Sequence, residues 1–204
     1  MHDAAEPTAR STDEVEMETK VKILVPSIDH LESYKAALHK GWSPNNLRPE
    51  AASEELEAIS KDSQCFLAGL TDLEAKGGPI KMPDGSHTER LPGFIRWIWD
   101  GEFCGVIGFR WKRGAEDLPP HVPGHIGYTV VPWKRGRGYA TTALSQLLAQ
   151  LSFTGLRYIT VTTDPANVSS QKVVEKCGAE FCEEFQSTSA LGGKQTYRYR
   201  INLP

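Results

Sequence analysis

From residue 21 onward the chain switches between two hydrophobic periods, and the switches divide it into elements. "VKILVPS" (21–27) is a short apolar run closed by Pro26 and predicts a first strand. From Ile28, apolar residues recur at Leu31, Tyr34, Ala37 and Leu38, a helical stripe that Gly41 is placed to end. A second helix is expected over 50–70. Residues 74–93 are rich in Gly and Pro and read as one long loop, a candidate cleft wall. Two apolar, aromatic runs flank Asp100-Gly101, a hairpin signal, and "GHIGYTVVP" (124–132) is a further strand ended by Pro132.

Beyond it, Ala143, Leu144, Leu147, Leu148 and Leu151 predict a helix over 141–156. "RYITVTTD" (157–164) is a strand. "NVSSQKVVEKCG" (167–178) is a helix with Asn167 as N-cap and Gly178 as stop, and "KQTYRYRINL" (194–203) alternates as a last strand. This order predicts one α/β (α+β) domain over 21–204, with a mixed, mostly antiparallel central sheet flanked by helices. Residues 1–20 hold six acids and two Lys/Arg without apolar periodicity; they read as a disordered leader with no chemistry.

Composition narrows the function. The chain has 204 residues, 39% hydrophobic, with a formal net charge of −3. No global basic field draws it to nucleic acid, so any anion site must be local. The four cysteines, Cys65, Cys104, Cys177 and Cys182, show no CxxC spacing and no zinc-ligand pattern, so no metal is expected. With no secretory signal and no apolar run of membrane-spanning length, the reading is a cytoplasmic protein with reduced thiols and no membrane partner.

One stretch carries chemistry: "VPWKRGRGYATTAL" (131–144) crowds Lys134, Arg135 and Arg137 around Gly136 and Gly138, between a strand end and a helix start. Glycines there allow unusual backbone angles and close approach of a ligand. The first turn of a helix leaves N–H donors without partners at the positive end of its dipole, which suits an anion. Lys134 and Arg137 add charge and Thr141 a hydroxyl. The stretch is neither GxxxxGK[ST] nor GxGxxG.

Arg135-Gly136-Arg137-Gly138-Tyr139-Ala140 resembles the (Gln/Arg)-x-x-Gly-x-(Gly/Ala) acyl-CoA loop of the GCN5-related N-acetyltransferases, the GNAT superfamily. "GHIGYTVVPWKRGRGYATTAL", "ITVTTDPANVSSQKVVEKCGA" and "YRYRI" extend the resemblance, which runs from about Val21 to Leu203. It implies a splayed central strand pair. Thr129, Val130 and Val131 at the end of one strand would pair with the pantetheine arm of acetyl-CoA. The amides of Arg135, Gly136, Arg137, Gly138, Tyr139 and Ala140, with Thr141, would hold the pyrophosphate. Asn167, with Ser170 one turn along, would meet the pantetheine arm.

The implied reaction is direct attack of a primary amine, on a small molecule or a peptide, at the thioester. The alternative is a non-catalytic acyl-CoA-binding sensor or scaffold. The resemblance also allows a homodimer. Many members carry a Tyr seven residues beyond the Asn, to protonate the departing thiolate; here that position is Val174. Ser170, a water or Tyr128 would have to serve. The incoming ammonium needs a base. His125, on the face shared by Gly127, Thr129 and Val131, holds about the place of the family's bases and titrates near neutral pH; Glu102, after the Asp100-Gly101 turn, is its rival.

Overall fold

A computed structural model describes residues 21–46, 48–82 and 84–203; the leader expected over 1–20 lies outside them. The first half contains β1 (Lys22–Leu24), α1 (Ile28–His39), α2 (Ala51–Lys61), α3 (Ser63–Gly69), β2 (Thr71–Asp72), β3 (Ile80–Lys81), β4 (His87–Thr88), β5 (Gly93–Trp99) and β6 (Phe103–Arg110). The second contains β7 (Ile126–Val130), α4 (Tyr139–Leu148), β8 (Tyr158–Thr163), α5 (Val168–Lys176), β9 (Glu180–Gln186) and β10 (Gln195–Asn202).

Two antiparallel sheets form the centre. One runs β1-β5-β6-β7, with β2 also paired to β5; the other runs β8-β10-β9. They meet where the His125 amide donates to the Thr160 carbonyl at 2.8 Å. Gly124 lets the backbones close there, because a Cβ on it would sit 3.0 Å from that same carbonyl oxygen. Past this junction no ladder joins β7 to β8 among the described residues, so the two strands part as a splayed pair.

The alternation along the central strands explains why both faces are covered. Phe94, Ile98, Ile107 and Phe109 pack with Leu144 and Leu147 of α4 and Val174 of α5. Trp97, Phe103 and Val106 pack on the opposite face with Leu31, Tyr34 and Leu38 of α1 and Ile59 of α2. Trp97 is fully buried and stacks on Tyr34 with ring centroids 4.7 Å apart, a pair worth about 1 kcal/mol beyond its burial.

Three expectations change. The helix expected over 50–70 is two helices: Asp62 turns extended (φ −160°, ψ 97°) and its side chain caps α3 by accepting from the Cys65 amide. The long loop over 74–93 contains the small β3–β4 hairpin. And β9, which no alternation announces, pairs along β10 as an edge strand, mostly exposed, with Phe181 55% exposed. An edge strand buries too little to stamp a pattern on its sequence.

Candidate active site

The splay opens a cleft of about 1870 Å³ between the two sheets, bounded at one end by the loop before α4. A 3-10 turn over Pro132–Lys134 leads into that loop, and Gly136 (φ 77°) and Gly138 (φ 78°) take left-handed angles that favour glycine. Nothing lies within 4 Å of where their Cβ atoms would be, so the loop faces open space. The amides of Gly136, Arg137, Gly138, Tyr139, Ala140 and Thr141 donate no hydrogen bond to another described residue. Six consecutive free donors at the positive end of α4 are the donor set that a pyrophosphate requires. The residues present therefore fit the acyl-CoA expected of the loop.

The basic side chains divide their work differently from the expectation. Lys134 is 8% exposed, and its ammonium lies 2.8 Å from Asp100 and 2.7 Å from Glu102. The Tyr139 hydroxyl donates to the same Asp100 carboxylate at 2.6 Å. Burial alone would raise the Asp100 pKa, but these bonds outweigh it and bring it down to about 2. Lys134 is thus corrected from an anion ligand to a clamp that fastens the loop to the β5–β6 turn. Arg135 Nε donates to the Val130 carbonyl at 3.0 Å. Arg137 makes one long bond, to the Trp133 carbonyl at 3.5 Å, and its guanidinium stays exposed beside the free amides.

On the splayed strand, the Val131 amide is spent on the Cys104 carbonyl at 2.9 Å. Alternation then turns the Val130 N–H toward the open edge, where an extended ligand chain can accept from it, while the Val130 carbonyl is taken by Arg135. Thr129 is buried, and its hydroxyl donates to Asn46 at 3.3 Å. Across the cleft Asn167 caps α5, its side chain accepting from the Ser170 amide at 3.0 Å. The Tyr128 hydroxyl meets the Ser170 hydroxyl at 2.8 Å. Burial pushes the Tyr128 pKa up to about 12, with the Ser170 bond working against it, so the phenol keeps its proton at neutral pH. The structure therefore brings Tyr128, Asn167 and Ser170 together, although Tyr128 lies on the opposite strand face from His125.

His125 and Glu102 sit elsewhere. His125 is 1% exposed; its Nδ1 accepts from the Thr160 amide at 3.0 Å and contacts the Thr160 hydroxyl at 3.0 Å. That bond puts the ring proton on Nε2, which has no partner among the described residues. Burial, helped by the nearby Arg110 charge, pulls its pKa down to about 4. Its lone pair points at Thr160 and not into the cleft. Glu102 pairs with Lys134 and is not among the residues lining the cleft. Cys104 is buried, and burial raises its thiol pKa to about 12, which leaves it inert.

One lining residue escaped the sequence reading. Glu55, on α2, borders the cleft and accepts a hydrogen bond from the buried Tyr34 hydroxyl. Burial raises its pKa to about 7, with neighbouring Glu54 adding to the rise and the Tyr34 bond opposing it. A carboxylate poised near neutral pH is a base of the right strength for an ammonium proton. In the sequence it stands as one acid among several in "SEELEAIS", with no local signal to single it out.

Among known proteins, the acetyltransferase (GNAT) domain family matches residues 42–180. No curated protein matches the sequence significantly. Among solved structures, the microcin C7 self-immunity acetyltransferase MccE, in complex with acetyl-CoA and AMP, superposes with a TM-score of 0.56 at 16% identity, covering 90% of this chain and 92% of its own. RimL, a ribosomal L7/L12 alpha-N-protein acetyltransferase in complex with coenzyme A, gives 0.56 at 13% identity over 90% and 94%. The Salmonella typhimurium acetyltransferase that modifies the N-terminal serine of L7/L12 gives 0.56 at 14% identity over 90% and 95%. At these identities the likeness is one of fold.

Proposed function

This chain belongs to the GNAT acetyltransferase family, whose domain spans residues 42–180, and from that premise we propose that it transfers the acetyl group of acetyl-CoA to a primary amine by direct attack. The observation that carries the reading is the row of six unpartnered amides, Gly136 to Thr141, at the start of α4. Those amides, with Thr141 and the exposed Arg137, hold the pyrophosphate. The open backbone edge of Val130 and the Asn167 cap flank the pantetheine arm. Acetyl-CoA supplies an activated thioester.

The chain's own groups then handle two protons. Glu55 takes one from the incoming ammonium, directly or through water. The freed amine nitrogen forms a bond to the acetyl carbon as the carbon–sulfur bond breaks, and the second proton the new amide nitrogen sheds passes through water to restore the hydroxyl pair that protonates the sulfur. The hydroxyl pair Tyr128–Ser170 supplies a proton to the leaving sulfur, in place of the Tyr that Val174 replaces. The Val130 amide, on the open edge, polarises the carbonyl. His125 holds the two sheets together at the base of the splay and takes no proton.

Calorimetric titration with acetyl-CoA tests the cradle. Intact protein is expected to bind with about −7 to −8 kcal/mol, and the Arg137→Glu, Gly138→Trp variant to lose that heat. Absence of binding by the intact protein removes the reading and the roles built on it.

A further inference from the structure

The half of the cleft away from the loop before α4 contains a charge without a counter-charge. Arg110 closes β6, and its Nε donates to the Gly124 carbonyl at 2.8 Å. Its guanidinium lies over Gly127: a Cβ on that glycine would come 3.9 Å from Nη2. Gly127 faces Gly108 across the β6–β7 ladder, so two bare glycines leave the cleft floor open beside the guanidinium. Among the described residues no carboxylate lies within 4.0 Å of Arg110.

The acids nearby are engaged with other groups. Glu116 is held at both oxygens by Arg157, at 2.6 and 2.9 Å. Asp117 accepts from the Tyr158 hydroxyl at 3.3 Å. Burial with no compensating anion lowers the Arg110 pKa to about 10, so the group remains charged and its charge is poorly solvated. It is nonetheless partly exposed, and the surface it retains lines the cleft.

Position separates this charge from the pyrophosphate cradle. Gly127 and Val131 are four residues apart along the extended strand, about 13 Å, and the free amides begin beyond Val131. An anion at Arg110 therefore lies on the other side of the splay from the nucleotide end of the donor. Other cationic side chains lining the cleft have partners of their own: Arg48 pairs with Glu50 and Glu54, Lys81 with Glu54 and Arg90 with Asp72, while Arg200 lies over the Tyr158 ring at 4.2 Å. One uncompensated positive charge matches one negative charge, and the planar fork of a guanidinium matches a carboxylate.

We infer that Arg110 is the anchor for a carboxylate carried by the acceptor, so that the natural substrate class is an amino acid or another amine bearing a carboxylate. The inference rests on the acetyltransferase reading for its chemistry and on Arg110 for its site.

The test uses matched pairs of amino acids and short peptides with free carboxyl or carboxamide ends. Initial rates with acetyl-CoA are expected to favour the free acid by about 100-fold in kcat/KM, mostly through KM. In Arg110→Met that ratio falls toward one, and Arg110→Lys restores only part of it. Equal rates for acid and amide in the intact enzyme, or a ratio unchanged in Arg110→Met, would overturn the inference. Binding is read separately by NMR, following the Arg110 Nε–H resonance, identified by its loss in Arg110→Lys, during titration with the same pairs. A shift with acids alone supports the anchor, and no shift with any acid overturns it. Calorimetry with acetyl-CoA on the same samples tells the two failures apart. Acids that shift Arg110 in a protein that does not bind acetyl-CoA would keep the site and sink the transferase reading.

Discussion

Glu55 and the Tyr128–Ser170 pair carry the proton chemistry proposed for this enzyme, and each has a signature of its own. With a pKa near 7, Glu55 gains its basic form as pH rises through neutrality. The intact enzyme's kcat/KM is therefore expected to climb through about pH 7, and Glu55→Gln to lose about 100-fold together with that rise. The same shift links to stability. A carboxyl whose pKa is higher folded than unfolded contributes fully below the unfolded value of 4.5 and loses that contribution as pH rises toward 7. Glu55→Gln should thus gain stability over the wild type between those limits, by roughly 3 kcal/mol at the plateau, read from denaturant melts at pH 4.5 and pH 8. For Tyr128→Phe the informative probe is the leaving group. The variant should lose about tenfold or more in kcat with acetyl-CoA, and much less with an aryl thioester whose thiolate leaves without protonation. An equal loss with both donors would place Tyr128 outside the proton path.

At the scale of elements, the loop before α4, proposed to hold the pyrophosphate, is kept in shape from outside itself. The Lys134–Asp100 pair, capped by Tyr139, ties the loop to the β5–β6 turn. Both side chains are nearly out of solvent, at 10% and 7% exposure, so removing one partner leaves the other buried and unpaired. Lys134→Met should cost about 3 kcal/mol or more in urea unfolding, and a second change, Asp100→Leu, should restore part of it. Because the Asp100 pKa is depressed to about 2, its contribution is present above the unfolded value of 3.8 and disappears as pH falls through 2. The lysine looked like a phosphate ligand because sequence shows its neighbours along the chain, whereas its partner Asp100 is 34 residues away. Asn167 is the opposite case. N-capping is a contact within one helical turn, so its role at the head of α5 was readable directly.

For the molecule as a whole, the decisive feature is the joint between two sheets that then diverge. His125 secures it by accepting from Thr160 across the junction. A buried neutral imidazole with a pKa near 4 stabilises the fold above its unfolded value of 6.5, and that stability is lost as pH falls from 6.5 toward 4. The free energy of unfolding should therefore decline over this interval, and His125→Gln should flatten the decline while lowering stability at pH 7. Urea titrations at half-unit pH steps check both parts.

The sequence by itself determined the order of the main strands and helices, the cap at Asn167 and the glycine-rich turn before α4. All of these follow from periodicity or from contacts within a few residues, which a linear pattern records. Tertiary structure alone decided that Asp62 breaks a helix in two and that β9 exists at an exposed edge. It also decided which ionisable groups are free: Lys134 is consumed, His125 is turned inward, Glu55 is raised to neutrality by burial against the opposing Tyr34 bond, and Arg110 is left without a counter-charge. The reason is that a charge is set by what surrounds it in space, through desolvation and through partners far along the chain, and neither leaves a mark on the residues next to it.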